Sequence, residues 1–155
     1  MTAAEERGGE PLELKRGYYL LHTDGGMVSS GRRAQGEEPG AAAIGVVLKT
    51  PKGALVEATS EKIGPATNDV AEYQALIEGL KLARDRGILR LRVYLDSELV
   101  VEQVNGGAGV NQEDLKLLHA ETCDLVEGFN SVRVCWVPRE WNDEADRLVD
   151  DALGR

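Results

Sequence analysis

The sequence has few cysteines and no long apolar run. Only two cysteines occur in 155 residues, Cys123 and Cys135, and their spacing does not match the CxxC pattern of a metal site. We therefore expect two reduced thiols. No apolar run approaches the roughly 20 residues of a membrane-spanning helix, and the N-terminus lacks an apolar signal core. These absences predict a cytoplasmic protein with no membrane association.

Basic residues are also scarce. The chain has 18 lysines and arginines against 27 aspartates and glutamates, and its formal net charge is -9. A charge of this sign argues against a broad basic surface for nucleic acid, so any such binding should be weak and sensitive to salt. Two bound divalent ions would bring the charge from -9 to -5. The length and the 42% hydrophobic content are typical of one globular domain.

Hydrophobic periodicity and turn residues predict a polar N-terminal tail, residues 1–15, and a single domain, residues 16–155. The predicted order is β-β-β-α-β-α-α-β-α, with a long loop from Gly25 to Gly40. Three leading strands favour an antiparallel meander, and the later strand-helix-strand units favour parallel additions. The fold class is therefore α/β, with a mixed five-stranded sheet and helices on both faces. The predicted strands span residues 18–23, 42–49, 54–59, 89–95 and 132–137, and the helices begin near residues 68, 97, 111 and 142.

Four acidic residues occupy positions from which a scaffold can direct carboxylates into one site. Asp24 in LHTDGG and Asp96 in LRVYLDSE follow strand-like runs. Glu72 in TNDVAEYQAL and Asp146 in NDEADRL fall in the first turns of predicted helices. Convergent carboxylates repel one another unless cations are present, which indicates divalent metal. Hard oxygen ligands favour magnesium or manganese, and the chain lacks the cysteine and histidine clusters that favour zinc.

Each acid also has a local structural interpretation. Glu72 follows Asp69 at capping-box spacing, and Asp146 can complement the positive end of the last helix. Asp24 can belong to a turn before two glycines, and Asp96 can precede a helix that is capped by the next residue. For any one acid, the local structural role is commoner than a role in a metal site. Four separate local roles, however, give no common reason for the four motifs around these acids or for the order of the elements.

The motifs TDGG, TND-x-AEY-x-AL, YLDS and N-x-x-ADRL, in this element order, resemble the type 1 ribonuclease H family. The resemblance extends from about Tyr18 to Leu153. It implies a ribonuclease H-like fold and hydrolysis of the RNA strand of RNA/DNA hybrids, which would be the principal partner. It assigns two Mg²⁺ or Mn²⁺ ions and the catalytic role to the four acids Asp24, Glu72, Asp96 and Asp146. It also implies substrate contacts at Gly25, Thr67, Asn68 and Asn142.

The sequence departs from the family pattern at several places. Many relatives carry a histidine in the loop before the last helix, and here Arg139 is the residue that resembles its replacement in a bacterial and archaeal-like subgroup. Arginine stays protonated, so we expect an electrostatic role in turnover rather than proton transfer. The basic handle of some relatives corresponds to Asn105 to Asp114, which contains no Lys or Arg. Asp69 and Glu38 add negative charge where hybrid should lie.

Four functions are compatible with these features. The leading hypothesis is a metal-dependent endoribonuclease that is specific for RNA/DNA hybrids. The alternatives are the same enzyme with activity on double-stranded RNA, a nucleic-acid-binding module without catalysis, and an interaction protein whose acidic face binds a basic partner. The last of these predicts no metal dependence. No obligate protein partner is evident, and we expect a monomer.

Overall fold

The computed structural model of the protein describes residues 17–28 and 39–155. The predicted tail, residues 1–15, lies outside the described residues, as do residues 29–38 of the predicted long loop. The strands are β1 (Tyr19–Met27), β2 (Gly40–Lys49), β3 (Leu55–Ala66), β4 (Arg90–Leu95) and β5 (Ser131–Trp136). The helices are α1 (Asn68–Asp85), α2 (Glu98–Val104), α3 (Glu113–Glu127) and α4 (Asp143–Leu153), with a 3-10 turn at Arg139–Asn142 before α4.

The five strands form one mixed sheet in the order β3-β2-β1-β4-β5. The first three strands are antiparallel, and β4 and β5 add in parallel beside β1. This topology confirms the predicted α/β fold. Because β1 is the central strand and β4 lies next to it, their carboxyl-terminal ends meet at one edge of the sheet.

Helices cover both faces of the sheet, as predicted. On one face α1 packs so closely that a Cβ at Gly79 would lie 2.9 Å from Thr23 of β1. On the other face α4 lies against β2, where a Cβ at Gly45 would overlap the backbone of Ala145. Small residues therefore set the distance between each helix and the sheet.

The core lies between the sheet and α1, α2 and α3. In β4 the alternation is clear, because Leu91, Val93 and Leu95 are fully buried while Arg90 and Arg92 are exposed. The period of two places the apolar side chains on one face of the strand. No helix in the described ranges is sufficiently long and apolar to cross a bilayer.

Three predicted boundaries were wrong. The strand β1 continues past Thr23 to Met27, so the residues from Gly25 to Met27 belong to the sheet and not to a loop. The sequence did not indicate this continuation, because Gly25 and Gly26 have no side chains that could show the alternation of a strand. The strand β3 extends to Ala66 through a polar, exposed stretch. The helix predicted to begin near residue 111 is α3, which begins at Glu113, and the side chain of Gln112 at its N-cap makes no capping hydrogen bond.

Candidate active site

The sheet brings two of the four predicted acids together. Asp24 lies within β1, paired with Gly45 of β2, and Asp96 directly follows β4. The strands β1 and β4 are parallel neighbours, with His22 opposite Tyr94. Two residues further along each strand, the side chains of Asp24 and Asp96 therefore emerge side by side at the carboxyl-terminal edge.

The helix α1 supplies the third acid. The Thr67 hydroxyl accepts a hydrogen bond from the amide of Val70 at 3.3 Å and begins the helix, which places Glu72 in its second turn. The helix backbone lies directly on Gly25, where any Cβ would overlap the carbonyl of Ala71. This close approach directs Glu72 toward Asp24. Single carboxylate oxygens of Asp24, Glu72 and Asp96 all lie within 4.8 Å of one another.

These carboxylates are poorly solvated. Asp24 is 5% exposed and Glu72 is 7% exposed. Burial raises the pKa of Asp24 to about 7, and the charges of Asp96 and Asp146 add to the effect. Burial also raises the pKa of Glu72 well above its usual range, with a further contribution from the charge of Asp24. Burial likewise raises the pKa of Asp96, while a hydrogen bond from Asn142 and the charge of Arg139 oppose the increase.

The fourth acid, Asp146, occupies the wall of the same cavity but not the close group of three. It lies in the first turn of α4, and its Oδ1 accepts a hydrogen bond from Arg139 Nη2 at 3.2 Å. The Arg139 side chain is 70% exposed and lines the cavity mouth. An ion pair therefore holds Arg139 beside the three carboxylates.

The donor set fits hard divalent cations. The cavity of about 290 Å³ is lined by all four acids, and their oxygens are the ligands that magnesium and manganese prefer. Oε2 of Glu72 is buried and finds no hydrogen-bond partner among residues 17–28 and 39–155. A buried carboxylate oxygen without a donor is unfavourable unless a cation approaches it. The capping interpretation of Glu72 leaves this oxygen unexplained.

The structure places the predicted substrate residues in two groups. Asn68 lines the cavity, and its Oδ1 accepts a hydrogen bond from the amide of Met27 at 3.1 Å. Gly25 also lines the cavity, and Thr67 is the N-cap of α1, next to Asn68 in the sequence. Asn142 is only 1% exposed. Its side chain donates to the carbonyl of Thr23 at 2.9 Å, which gives it a positioning role. Substrate contact at all four residues stays a prediction.

Three further residues contribute to the site and were not predicted from the sequence. His22 Nδ1 lies 3.2 Å from Oδ1 of Asn142 and so helps to fix that side chain. Trp136 is 46% exposed, and its indole donates to the carbonyl of Asp96. Arg155 lines the cavity and pairs with Asp150 at 2.8 Å. No local motif indicates these roles, because each depends on a contact between segments that are distant in the sequence.

Comparison with known proteins agrees with this geometry. A family model described as reverse transcriptase-like matches residues 33–152. Ribonuclease HI of Halobacterium salinarum is 39% identical over 115 residues, which cover 74% of this chain and 58% of that protein. The chain also matches mycobacterial proteins, of which it spans 32%. The match therefore spans less than two thirds of the length of each of these curated relatives.

Two solved structures are similar over nearly their whole length. The RNase H1 of Halobacterium salinarum has a TM-score of 0.80 and 36% identity, covering 89% of this chain and 98% of that one. An RNase H1 isolated from compost, solved in complex with an RNA/DNA hybrid, has a TM-score of 0.76 and 34% identity. That match covers 88% of this chain and 96% of the other. The fold and the site thus define a ribonuclease H-like protein. Within that class, the chain belongs to the type 1 ribonuclease H family.

Proposed function

We propose that this protein is an endoribonuclease that hydrolyses the RNA strand of RNA/DNA hybrids with two divalent metal ions. The observation that carries the proposal is the group of three carboxylates within 4.8 Å, two of which are buried and one of which has an oxygen without a hydrogen-bond donor in the described residues. Such a group has no structural advantage without cations, because its charges repel one another. The family membership and the hybrid complex of the similar RNase H1 support the choice of substrate.

Asp24, Glu72, Asp96 and Asp146 would hold the metal ions. A pair of such ions supplies activated water for attack on phosphorus and charge stabilisation for the departing 3′ oxygen. We propose Mg²⁺ or Mn²⁺, on the chemistry of the oxygen donors. The carboxylates would orient the attacking water and the leaving oxygen through the ions that they hold.

Arg139 would act on the same phosphate through its charge. Asp146 holds the guanidinium at the cavity mouth, where it can neutralise the developing negative charge. Arginine does not release its proton at a working pH, so it serves neither as general base nor as general acid. The 2′-hydroxyl of the RNA strand distinguishes hybrid from DNA duplex, and Asn68 and the backbone at Gly25, which line the cavity, would contact it.

A cleavage assay tests the proposal. Labelled RNA/DNA hybrid, double-stranded RNA and double-stranded DNA are incubated with Mg²⁺ or Mn²⁺ and with chelator. The proteins are the wild type, Asp96→Asn and the control Asp124→Asn, which makes the same change at an exposed helical position. We expect cutting of hybrid in the wild type and the control, and none in Asp96→Asn or in chelator.

Other outcomes distinguish the alternatives. Cutting of double-stranded RNA would identify the broader substrate range, and binding without cutting under either metal would identify a non-catalytic module. Activity in chelator would contradict the metal-dependent mechanism. A monomeric state and a cytoplasmic location, both expected from the sequence, stay predictions that sedimentation and cell fractionation can test.

A further inference from the structure

Three arginines surround one tyrosine on the outer face of β4 and β5. The guanidinium carbons of Arg90, Arg92 and Arg133 lie 5.6, 5.1 and 5.2 Å from the ring centroid of Tyr18. The Tyr18 hydroxyl is hydrogen-bonded to Ser131 Oγ at 2.8 Å, which fixes the ring. Tyr18, Arg90, Arg92 and Arg133 are called the arginine patch below. Cation–π contacts thus hold three positive charges side by side.

Two arginines of this patch, Arg92 and Arg133, lack the carboxylate partner that other arginines of the described residues have. The five described arginines outside the patch each lie within 4.0 Å of a carboxylate; they are Arg84, Arg86, Arg139, Arg147 and Arg155. Arg92 and Arg133 have no carboxylate within that distance in the described part of the chain, although acidic residues outnumber basic ones by 27 to 18. They are also direct cross-strand partners. Like charges in that position repel one another, and within the described residues the pair is held by the Tyr18 ring rather than by a carboxylate.

The patch lies in line with the candidate active site. The alternation of β4 places Arg90, Arg92 and Tyr94 on one face, and Asp96 follows at the end of this row. Arg92 is four residues from Asp96 and Arg90 is six, which corresponds to about 13 and 20 Å along a strand. Between them, Tyr94 stacks on His22 with ring centroids 4.9 Å apart. The row therefore leads from carboxylates through aromatic rings to arginines.

We propose that the arginine patch binds the phosphodiester backbone of a nucleic-acid strand that extends beyond the catalytic cavity. This inference rests on the proposed function, because it assigns the patch to the same substrate. Guanidinium groups bind phosphate oxygens through paired N–H donors, and several neighbouring groups can follow a flexible strand. The patch supplies a local positive surface in an acidic chain whose stretch from Asn105 to Asp114, which corresponds to the basic handle of some relatives, contains no Lys or Arg.

Binding in chelator tests the patch without catalysis. Fluorescence anisotropy is measured with a labelled single-stranded oligonucleotide over a range of salt concentrations. The variant Arg92→Gln/Arg133→Gln is compared with Arg84→Gln/Arg86→Gln, which removes two exposed arginines elsewhere and changes the net charge equally. We expect the patch variant to bind at least tenfold more weakly than the control at low salt. Its salt slope should fall by about 1.4, since each lost phosphate contact contributes roughly 0.7 for a single strand.

Cleavage kinetics give the second readout. A short blunt hybrid and the same hybrid with a single-stranded extension are digested by both variants. We expect the patch variant to raise KM for the extended substrate several-fold and to leave kcat on the blunt hybrid unchanged. Equal oligonucleotide binding by the two variants would overturn the inference. So would preference of the patch for a glutamate-rich peptide over the oligonucleotide, which would indicate a protein partner.

The two proposals fail in different ways. If the wild type cuts hybrid and the patch variant behaves like its control, only the arginine patch inference fails. If the wild type cuts no substrate while the patch variant loses oligonucleotide affinity, the nucleic-acid contact stands and the proposed function fails. Circular dichroism of each variant verifies that the sheet is intact before either result is interpreted.

Discussion

The buried carboxylates should make the metal-free protein less stable at neutral pH than a variant that lacks one of them. Burial raises the pKa of Asp24 from 3.8 to about 7. The folded state therefore binds this proton more tightly than the unfolded state does. The resulting stabilisation is complete below about pH 4 and is lost as the pH rises through 7.

The magnitude follows from the same shift. The difference between 3.8 and about 7 corresponds to about 4 kcal/mol, at roughly 1.4 kcal/mol for each pH unit. This is an upper limit, because Asp24 titrates together with Glu72. We expect Asp24→Asn to increase the free energy of unfolding of the metal-free protein at pH 8 by about half of this amount, or ~2 kcal/mol. For a domain of this size, that increase raises Tm by roughly 4–8 °C.

Thermal unfolding in chelator at pH 5 and pH 8 measures the effect. The wild type should be less stable at pH 8 than at pH 5, and Asp24→Asn should reduce this difference and unfold at a higher temperature at pH 8. The control Asp124→Asn should change the free energy of unfolding by less than about 0.5 kcal/mol. Added Mn²⁺ should stabilise the wild type more than Asp24→Asn. A lower or unchanged Tm for Asp24→Asn at pH 8 would refute the reasoning.

Three other substitutions test the residues that position the carboxylates or act beside them. Gly25→Ala should destabilise the protein by about 3 kcal/mol in urea unfolding, because its Cβ would overlap the α1 backbone, whereas a Cβ at Gly109 would make only an ordinary contact with Asn111 at 3.9 Å, so Gly109→Ala should be nearly neutral. Asn142→Ala should cost about 1–3 kcal/mol, since it leaves a buried carbonyl without its donor; unchanged stability would remove the positioning role. Arg139→Ala should lower kcat on hybrid at least about tenfold relative to Arg147→Ala, and unchanged kcat and KM would contradict its electrostatic role.

Much of the fold could be predicted from local patterns. The alternation from Leu89 to Leu95 and the helical spacing from Tyr73 to Ala83 indicate their elements directly, because each buries one regular apolar face. The end of β1 could not be predicted in this way. Gly25 and Gly26 have no side chain to show an alternation, and only pairing with β2 shows that they belong to a strand.

The same distinction applies to the candidate site. The motifs around the four acids indicate which residues to examine, but not how each side chain is partnered. Only the contact of α1 with Gly25 explains why Glu72 faces Asp24, and only the folded chain shows that Asp146 pairs with Arg139. Trp136 is an example of this limit, because its sequence context does not show that the indole is exposed and donates to the carbonyl of Asp96.

The sequence by itself determined the element order, the mixed sheet and the identity of the four acidic side chains. These follow from periodicity and from short motifs, which are properties of neighbouring residues. The tertiary structure decided which oxygens share one small volume, which are buried without donors, and where three arginines meet on one tyrosine. Such features depend on distances between segments far apart in the chain, and those distances exist only after the sheet and the helices have packed.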